Sequence, residues 1–523
     1  MKIRLFVFFL FALVFVETSA AKRPNIIFVL TDDQRDNTFG AMGHPFVKTP
    51  NVDRLLSQSV RFRNTYIAEP VCAPSRVSLL TGMHERVHGI GFTSSYQLTE
   101  DQWSRSYPAL VKKAGYYTGF VGKFGVEYYS FRGKAGEKFD YWWGHDGWTK
   151  FLPKNTKSDS TLPYHKAKAE VITEIMSEAM AAFFGAIPDD QPFCLSVSLN
   201  TPHGSQTTSM HQEYADWRKM TRPANENPEL KGTKFYDTLY RDLDIQIPET
   251  TGKDPYRFIP KFIQDQDKGR RTQTYQYSYT RPTCTEHHIR YYQTISGIDH
   301  AIGGLLKELK DRGLADNTVI IYGSDHGLLM GEYGMGGKAL LYDLSSKIPC
   351  FVHDPRAPRK QRGKELDELV SSLDLTKTIL DYADVEAPDF MTGRSLRSLV
   401  EGKKTKWRNE LFLESLYTGR DTPFQEGMRR GKWKYIRMFD GVGSYREEHV
   451  DFSDREPDFE MLFDLEKDPD EMNNLAKSHA GKSHEIFNLL RKKTAAESRQ
   501  LNRERKRFAA TVEIEDRQKK KKK

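Results

Sequence analysis

The sequence predicts an α/β protein whose core is a mostly parallel sheet flanked by helices. Four uninterrupted apolar runs that end in polar residues are typical of strands buried on both faces, and they occupy residues 25–30, 116–121, 193–199 and 318–322. Ahead of the last run, Ile298, Ile302 and Leu305 recur at the spacing of one helical face. Alternation of such strands with helices favours parallel strands joined by helical crossovers.

The carboxyl-terminal part has a different pattern. Residues 410–416, 427–438 and 461–465 are short strand-like runs, separated by turn sequences such as Gly431-Lys432 and Asp468-Pro469-Asp470. They predict a smaller antiparallel sheet, followed by a closing helix over about residues 483–499. We therefore expect a large domain (22–402), a C-terminal subdomain (403–495) and a basic tail (496–523). Because the tail is a run of charged residues, we expect it to be disordered.

The amino terminus resembles an export signal. Lys2 and Arg4 precede an apolar run of twelve residues (5–16) and the small residues 18–21. Because a bilayer span needs about 20 apolar residues, we expect residues 1–20 to be a cleaved signal peptide, with an uncleaved anchor as the alternative. The mature chain would start near Ala21 or Lys22 and be secreted or periplasmic, without a membrane span.

Composition excludes several classes of protein. The 523 residues are 38% hydrophobic, which is enough for a large core, and the four cysteines contain no CxxC pair, so neither global disorder nor a zinc or disulfide miniprotein is indicated. The net charge of +8 is concentrated at the ends, since residues 1–20 carry +1 and residues 496–523 carry +6. We therefore expect no nucleic-acid partner.

Polar side chains at the ends of the predicted strands mark a candidate site. Ligands of open α/β sheets bind beyond the carboxyl ends of the strands. Metal-type and cationic residues follow the four apolar runs, namely Asp32, Asp33, Lys123, His203, Asp325 and His326. Any one of them could simply solvate a turn, but together they favour a functional centre.

The segment 71–82 contains the sharpest motif. Pro74 suits the first turn of a helix and would place Cys72 at the helix N-terminus, where the unpaired N–H groups favour an anion. Arg76, one turn later, could clamp the anion's oxygens. Read alone, Cys72 could equally be a small buried residue.

The motif Cys72-Ala73-Pro74-Ser75-Arg76, followed by Leu80-Thr81-Gly82, resembles the signature of the formylglycine-dependent sulfatases, a branch of the alkaline-phosphatase-like superfamily. The resemblance runs from Asn25 to the segment 461–476. It implies the alkaline-phosphatase-like fold and an exported sulfuric ester hydrolase that acts on a sulfated carbohydrate. It also implies that Cys72 is oxidised to formylglycine by a formylglycine-generating or sulfatase-maturing enzyme.

The resemblance further assigns roles to residues. The metal ligands it implies are Asp32, Asp33, Cys72 in its modified form, Asp325 and His326, and the metal it implies is Ca²⁺ rather than Mg²⁺. The donor types alone would also admit manganese or zinc. The residues that it places around the sulfate are Arg76, Lys123, His203 and Lys338. In the family's scheme a hydroxyl of the hydrated aldehyde attacks sulfur, and we expect His203 to protonate the leaving alcohol.

Two positions depart from the common sulfatase pattern. Gly125 stands where many sulfatases have the histidine of Gly-Lys-x-His, and Tyr333 replaces the histidine of a common Gly-Glu-His-Gly. The missing histidine makes an inactive sulfoglycan-binding relative one alternative. A phosphodiesterase or phosphonate hydrolase of the same superfamily is another, because phosphate and sulfate esters share a shape and some relatives also use Cys-x-Pro-Ser-Arg.

Three other features are open to more than one interpretation. The aromatic run 141–148 could stack on a sugar ring or belong to the core. His287 and His288 have no partner at metal-ligand spacing, and we expect them to be exposed. Cys194 and Cys350 lie in apolar runs and are expected to be buried free thiols.

Overall fold

A computed structural model of the chain describes residues 23–92, 97–126, 135–145, 167–203, 238–251, 260–261, 263, 281–417, 422–439, 450–452, 455–478 and 481–509. The expected signal peptide and the end of the basic tail, residues 510–523, lie outside this set, as do residues 146–148 of the aromatic run. No helix within the described ranges is long and apolar enough to cross a membrane.

Fourteen strands occur in the described part of the chain. In chain order they are β1 Asn25–Asp32, β2 Val60–Tyr66, β3 Tyr117–Lys123, β4 Tyr141–His145, β5 Phe193–Pro202, β6 Thr318–Ser324, β7 Leu329–Met330, β8 Gly336–Gly337, β9 Phe351–His353, β10 Lys364–Ser371, β11 Glu410–Ser415, β12 Phe424–Arg430, β13 Trp433–Phe439 and β14 Phe459–Asp464. The four apolar runs thus form β1, β3, β5 and β6, as predicted.

Twelve α-helices accompany these strands within the same described ranges. They are α1 Pro50–Leu56, α2 Cys72–Thr81, α3 Glu85–His88, α4 Glu100–Ser104, α5 Tyr107–Lys113, α6 Ala135–Lys138, α7 Ile172–Ala186, α8 Arg281–Asp311, α9 Asp343–Ser346, α10 Ser372–Tyr382, α11 Arg397–Val400 and α12 Gly481–Phe508. The periodic residues Ile298, Ile302 and Leu305 lie on α8 and are buried, as their spacing predicts.

The large sheet has eight strands in the order β10-β2-β9-β6-β1-β5-β3-β4, and it is parallel except for β9. Successive residues of β1 face opposite sides of it. Ile26 and Phe28 pack into a core that includes residues of α2, α5 and α10, whereas Ile27 and Val29 pack into a second core built with α7 and α8. Helices therefore cover both faces, and β1, between β5 and β6, lies at the centre of the sheet.

The second sheet is antiparallel, in the order β11-β12-β13-β14. It confirms the predicted C-terminal sheet, with the turn at Gly431-Lys432 separating two strands inside the run 427–438. One face of the sheet packs against the segment around Leu340 and Leu341, and the other face packs against α12. The sheet thus lies between the large domain and the last helix.

The prediction of a disordered tail is wrong for residues 496–508. We expected residues 496–523 to be disordered, but α12 continues to Phe508, nine residues beyond the predicted end of the closing helix. The physical reason is that this charged segment is amphipathic: Leu501, Asn502 and Arg505 are buried on one side of the helix.

Candidate active site

The carboxyl edge of the large sheet brings four strand ends together. Asp32 and Lys123 are the last residues of β1 and β3, and His203 and Asp325 follow β5 and β6 directly. Two backbone hydrogen bonds hold this arrangement: the N–H of His203 donates to the carbonyl of Asp32 at 2.9 Å, and that of Asp325 donates to Thr31 at 3.0 Å. Side chains that lie up to about 300 positions apart in the sequence therefore converge on one point.

Three side chains at this edge of the sheet form a cluster that suits a metal ion. Ligand atoms of Asp32, Asp33 and His326 all lie within 4.8 Å of one another, and all three residues are buried. Asp32 Oδ1 and Asp33 Oδ2 have no hydrogen-bond donor among the described residues. Buried carboxylate oxygens without donors are the ligands that a hard divalent cation needs, so the residues present fit such an ion.

Asp325 lies beside this cluster. Its Oδ1 accepts a hydrogen bond from the N–H of Asp33 at 3.2 Å and lies 3.4 Å from His326 Nε2. Burial, together with the charge of Asp32, raises the pKa of Asp325 to about 7. Burial also acts to raise the pKa of Asp32, but the charges of Lys123, His203, Arg76 and Lys338 outweigh it and hold that pKa well below the usual value. An added positive charge would stabilise the ionised forms of carboxyl groups that are crowded in this way.

Helix α2 is fixed to the same centre through its first two turns. The hydroxyl of Ser75 donates to the carbonyl of Asp325 at 2.7 Å, and Arg76 Nε donates to Asp325 Oδ2 at 2.9 Å. Cys72 is the first residue of α2, as predicted; it is buried and forms no disulfide. The sulfur is thus at the helix end where backbone N–H groups favour an anion.

Lys123 owes its position to Gly122. Gly122 has φ +105°, and a Cβ atom at this residue would lie 2.1 Å from the carbonyl oxygen of Ser198 on the neighbouring strand β5. Only glycine allows so close an approach at this backbone conformation. Lys123 Nζ then donates to Asp32 Oδ2 at 2.5 Å.

Lys338 contacts the same centre at Asp33 and His326. It follows β8, and its Nζ lies 2.7 Å from Asp33 Oδ1 and 3.2 Å from His326 Nε2. The next residue, Ala339, donates its N–H to the carbonyl of Pro70 at 3.0 Å. The Lys338 segment is therefore bound to the chain that leads into Cys72.

His203 completes the set of residues predicted to surround the anion. Its Nε2 lies 3.8 Å from Asp33 Oδ2. Burial lowers the pKa of His203 to about 4, although Asp33 and Asp32 oppose this effect, so the imidazole is neutral at pH 7. An anionic ester bound beside it would raise that pKa, which is the direction required for a proton donor.

The sequence analysis did not identify Ser198 or the pair Arg35 and Glu332 as residues of the site. Ser198 accepts a hydrogen bond from Arg76 Nη1 at 2.6 Å and donates to the carbonyl of Lys123 at 2.6 Å. Its only signal is a serine inside the apolar run 193–199. Arg35 forms an ion pair with Glu332 at 2.7 Å, which joins the loop after β1 to the loop before Lys338. Neither residue belongs to a periodic pattern, so the contact is visible only in three dimensions.

The two departures from the sulfatase pattern have structural consequences. Gly125 has φ +62°, and a Cβ atom there would lie 2.9 Å from Arg76 Cδ and 3.0 Å from Lys123 Cε. Tyr333 donates its hydroxyl to the carbonyl of Asp470 in the C-terminal subdomain. Gly125 thus leaves room for Arg76 and Lys123, and Tyr333 connects the large domain to the C-terminal subdomain.

We expect Gly125→His to lower kcat/KM by about a hundredfold rather than to improve the enzyme, because the new side chain displaces Arg76 and Lys123. Steady-state hydrolysis of an aryl sulfate measures this effect. Gly313→His is the matched control, since Gly313 has φ +67° with nothing within 4 Å of its Cβ position, so it carries the backbone strain without the crowding. A Gly125→His enzyme faster than the parent would show that the site accepts a histidine there.

Three remaining predictions have different outcomes. His287 and His288 are buried on α8, so their expected exposure is wrong; the helix runs through the second core, and burial lowers the pKa of both residues. Trp142 stacks on Phe120 with centroids 5.2 Å apart, so this part of the aromatic run packs against the core. Cys194 and Cys350 are buried free thiols, as predicted.

Comparison with known protein families agrees with this geometry. Residues 24–385 match the model of the sulfatase family, and residues 331–500 match the model described as the C-terminal region of N-sulphoglucosamine sulphohydrolase. Together with the fold, these matches define a sulfuric ester hydrolase. The chain belongs to the sulfatase family.

Relatives match along most of the chain. An arylsulfatase of Clostridium perfringens is 28% identical over 494 residues, which cover 90% of this chain and 93% of the relative. An N-acetylglucosamine-6-O-sulfatase of Bacteroides thetaiotaomicron is 26% identical over 519 residues, which cover 90% and 86%. Among solved structures, the phosphonate monoester hydrolase of Agrobacterium radiobacter has a TM-score of 0.67 at 18% identity and covers 92% of this chain and 96% of that chain. This last likeness concerns the fold alone.

Proposed function

We propose that the chain is an exported sulfatase that hydrolyses sulfate esters of a carbohydrate, using formylglycine at position 72 and a divalent cation, Ca²⁺ rather than Mg²⁺. The observation that carries this proposal is the convergence of three carboxylates, His326 and the cations on one buried point, which is bound to the first turns of the helix that begins at Cys72. Export and a secreted or periplasmic location rest on the leader sequence. Oxidation of Cys72 requires a maturation enzyme as partner.

The residues that would hold the cation are Asp32, Asp33, Asp325, His326 and the modified residue 72. A hydrated formylglycine supplies a hydroxyl nucleophile, and a bound divalent cation supplies a Lewis acid that lowers the pKa of that hydroxyl. Asp32 Oδ1 and Asp33 Oδ2, which accept no hydrogen bond from the described residues, support this assignment.

The other side chains would bind and orient the ester. A sulfate ester is an anion that repels nucleophiles, so its oxygens must be neutralised before sulfur can be attacked. Arg76, Lys123 and Lys338 offer three positive charges around the centre, and each already touches one of the carboxylates. The N-terminus of α2 adds backbone N–H groups. His203, beside Asp33, is placed to give a proton to the leaving alcohol.

A large polar cavity borders the loop that carries Asp33, although it is lined by none of the residues assigned to the metal or to the sulfate, and it offers room for the rest of a carbohydrate substrate. It has a volume of about 800 Å³ and lies between the segment 35–38 after β1 and the C-terminal subdomain. Tyrosines and paired charges line it, among them Tyr66, Tyr291 and Lys347. Tyr291 donates its hydroxyl to the carbonyl of Asp33 at 2.9 Å, so the cavity wall touches the loop of the metal site. A cavity of this volume lies within the usual range of small-molecule sites and could hold sugar units.

A phosphonate monoester hydrolase is the second candidate, because a protein with that activity shares the fold. Phosphonate and sulfate esters have similar shapes. A phosphonate monoester is a monoanion at neutral pH, as a sulfate ester is, so charge does not separate these two substrates; only a phosphate monoester can carry a second negative charge.

Mass spectrometry of the tryptic peptide 64–76 after native expression tests the proposal directly. We expect an aldehyde in place of the thiol at position 72, and faster turnover of an aryl sulfate than of an aryl phosphonate. An intact thiol in every preparation would refute the formylglycine mechanism. An aldehyde together with faster phosphonate turnover would favour the second candidate, and an aldehyde without turnover of either ester would favour a binding protein.

A further inference from the structure

Helix α12 carries a continuous row of cations on its exposed face. Lys492, Arg499, Arg503 and Lys506 are exposed, and their spacing places them within a sector of about 60° at 100° per residue. Ala496 occupies the remaining position of this face. At about 1.5 Å per residue the row is about 21 Å long. We call these four residues the α12 cationic row.

The row is not neutralised locally. From residue 488 to residue 507 every exposed charged residue of α12 is a lysine or arginine, whereas Glu497 and Glu504 are partly buried. Other cations of the helix have acidic partners: Arg491 pairs with Glu456 and with Glu460, and Lys493 pairs with Glu410 at 2.8 Å. No ion pair joins the four cations of the row to an acid within the described ranges.

The packing of α12 keeps the row in a fixed geometry. Leu490 and Leu501 are buried against the C-terminal sheet. Near the end of the helix, Arg505 Nη1 donates to the carbonyl of Arg86 at 2.8 Å, and Gln102 Nε2 donates to the carbonyl of Phe508 at 2.9 Å. The row is therefore a rigid surface of the folded protein and not a flexible run of charge.

The C-terminal sheet separates the row from the active centre. Leu411 and Leu413 of β11 pack towards the segment that follows Lys338, whereas Phe412, between them, packs towards α12. Because neighbouring residues of a strand face opposite sides, the helix and the Lys338 segment lie on opposite faces of this sheet. A ligand of one or two sugar units in the active centre therefore cannot also touch the row; only a longer chain would contact both.

We propose that the α12 cationic row is a second binding site for a sulfated polysaccharide, which holds sulfate groups remote from the ester that is hydrolysed. This inference rests on the proposed carbohydrate substrate. Charge complementarity supports it, because a rigid row of cations matches a polymer that carries sulfate at regular intervals. Arginine, which forms two of the four positions, binds such oxyanions with paired N–H donors.

The test compares two fourfold variants of the full chain. The first replaces Lys492, Arg499, Arg503 and Lys506 with glutamine, and the matched control replaces the exposed cations Arg359, Lys360, Lys404 and Lys406 in the same way. Binding to dextran sulfate is measured at several salt concentrations, together with hydrolysis of a small aryl sulfate. Circular dichroism melting verifies that both variants fold.

We expect the row variant to bind dextran sulfate about tenfold more weakly at low salt and with a smaller salt dependence, since fewer counterions are released on binding. Its hydrolysis of the aryl sulfate should equal that of the parent. Equal losses in both variants, or no loss in the row variant, would overturn the proposal. So would loss of binding to anionic phospholipid vesicles with dextran sulfate binding retained, which would assign the row to a membrane surface. Failure of the parent to hydrolyse any sulfate ester would instead refute the proposed function and leave the binding result standing.

Discussion

Replacing Cys72 with alanine is expected to lower kcat for an aryl sulfate by roughly 10⁴ to 10⁶, as removal of a catalytic nucleophile does in other hydrolases. Alanine keeps the helix start but offers no group that can be oxidised to an aldehyde. The cations of the site remain, so KM should change much less than kcat. Steady-state kinetics with the parent and the variant, prepared from the same expression host, measure both parameters.

Cys350→Ala is the matched control for this variant. Cys350 is also a buried free thiol, but it lies just before β9 and contributes to the first core of the large sheet. Its loss should leave kcat within a few fold of the parent while lowering stability, because a small cavity remains. A Cys72→Ala enzyme that retains a tenth or more of the parent's kcat would exclude formylglycine as the nucleophile.

Replacing Asp33 with asparagine is expected to lower the affinity for a divalent cation and to reduce kcat/KM by at least about a hundredfold. The buried carboxylate of Asp33 has one oxygen near Lys338 and His326 and another that lacks a hydrogen-bond donor among the described residues. Asparagine removes the negative charge that a hard cation needs at this position. The effect is measured as the activity restored by Ca²⁺ after treatment with a chelator.

A thermal readout separates metal binding from catalysis. The parent should show a higher Tm in Ca²⁺ than after chelation, because a ligand that binds only the folded state stabilises it. Asp33→Asn should lose most of this rise, whereas Asp367→Asn, which changes an exposed carboxylate on β10, should retain it. Equal rises in Tm for the parent and Asp33→Asn would show that Asp33 is not a ligand.

Much of the fold was predictable because the large sheet is buried on both faces. A strand such as β1 has apolar side chains on both sides, so it stands out as an unbroken apolar run that stops at Asp32, where the site begins. The start of α2 at Cys72 was likewise predictable, since Pro74 and the apolar residues that follow it are local signals of a helix N-terminus. The candidate site followed from these strand ends and one motif.

Other features could not be predicted because they depend on contacts between distant segments. Arg76 meets Ser198 across 122 positions, and Arg35 meets Glu332 across 297. His287 and His288 looked exposed because they are polar, but α8 passes through the second core of the large sheet. Residues 496–508 looked disordered because they are charged, but their few apolar residues have a sheet to pack against.

The sequence by itself determined the four apolar strands β1, β3, β5 and β6, the start of α2, and the order in which the acids, the cysteine and the cations occur. Only the tertiary structure decided which of the many cations matter. It places Arg76, Lys123 and Lys338 against buried carboxylates and leaves the α12 cationic row exposed, with no acidic partner among the described residues. The physical reason is that local patterns extend over a few residues, whereas the distance between two charges, and hence their interaction, depends on how sheets and helices pack.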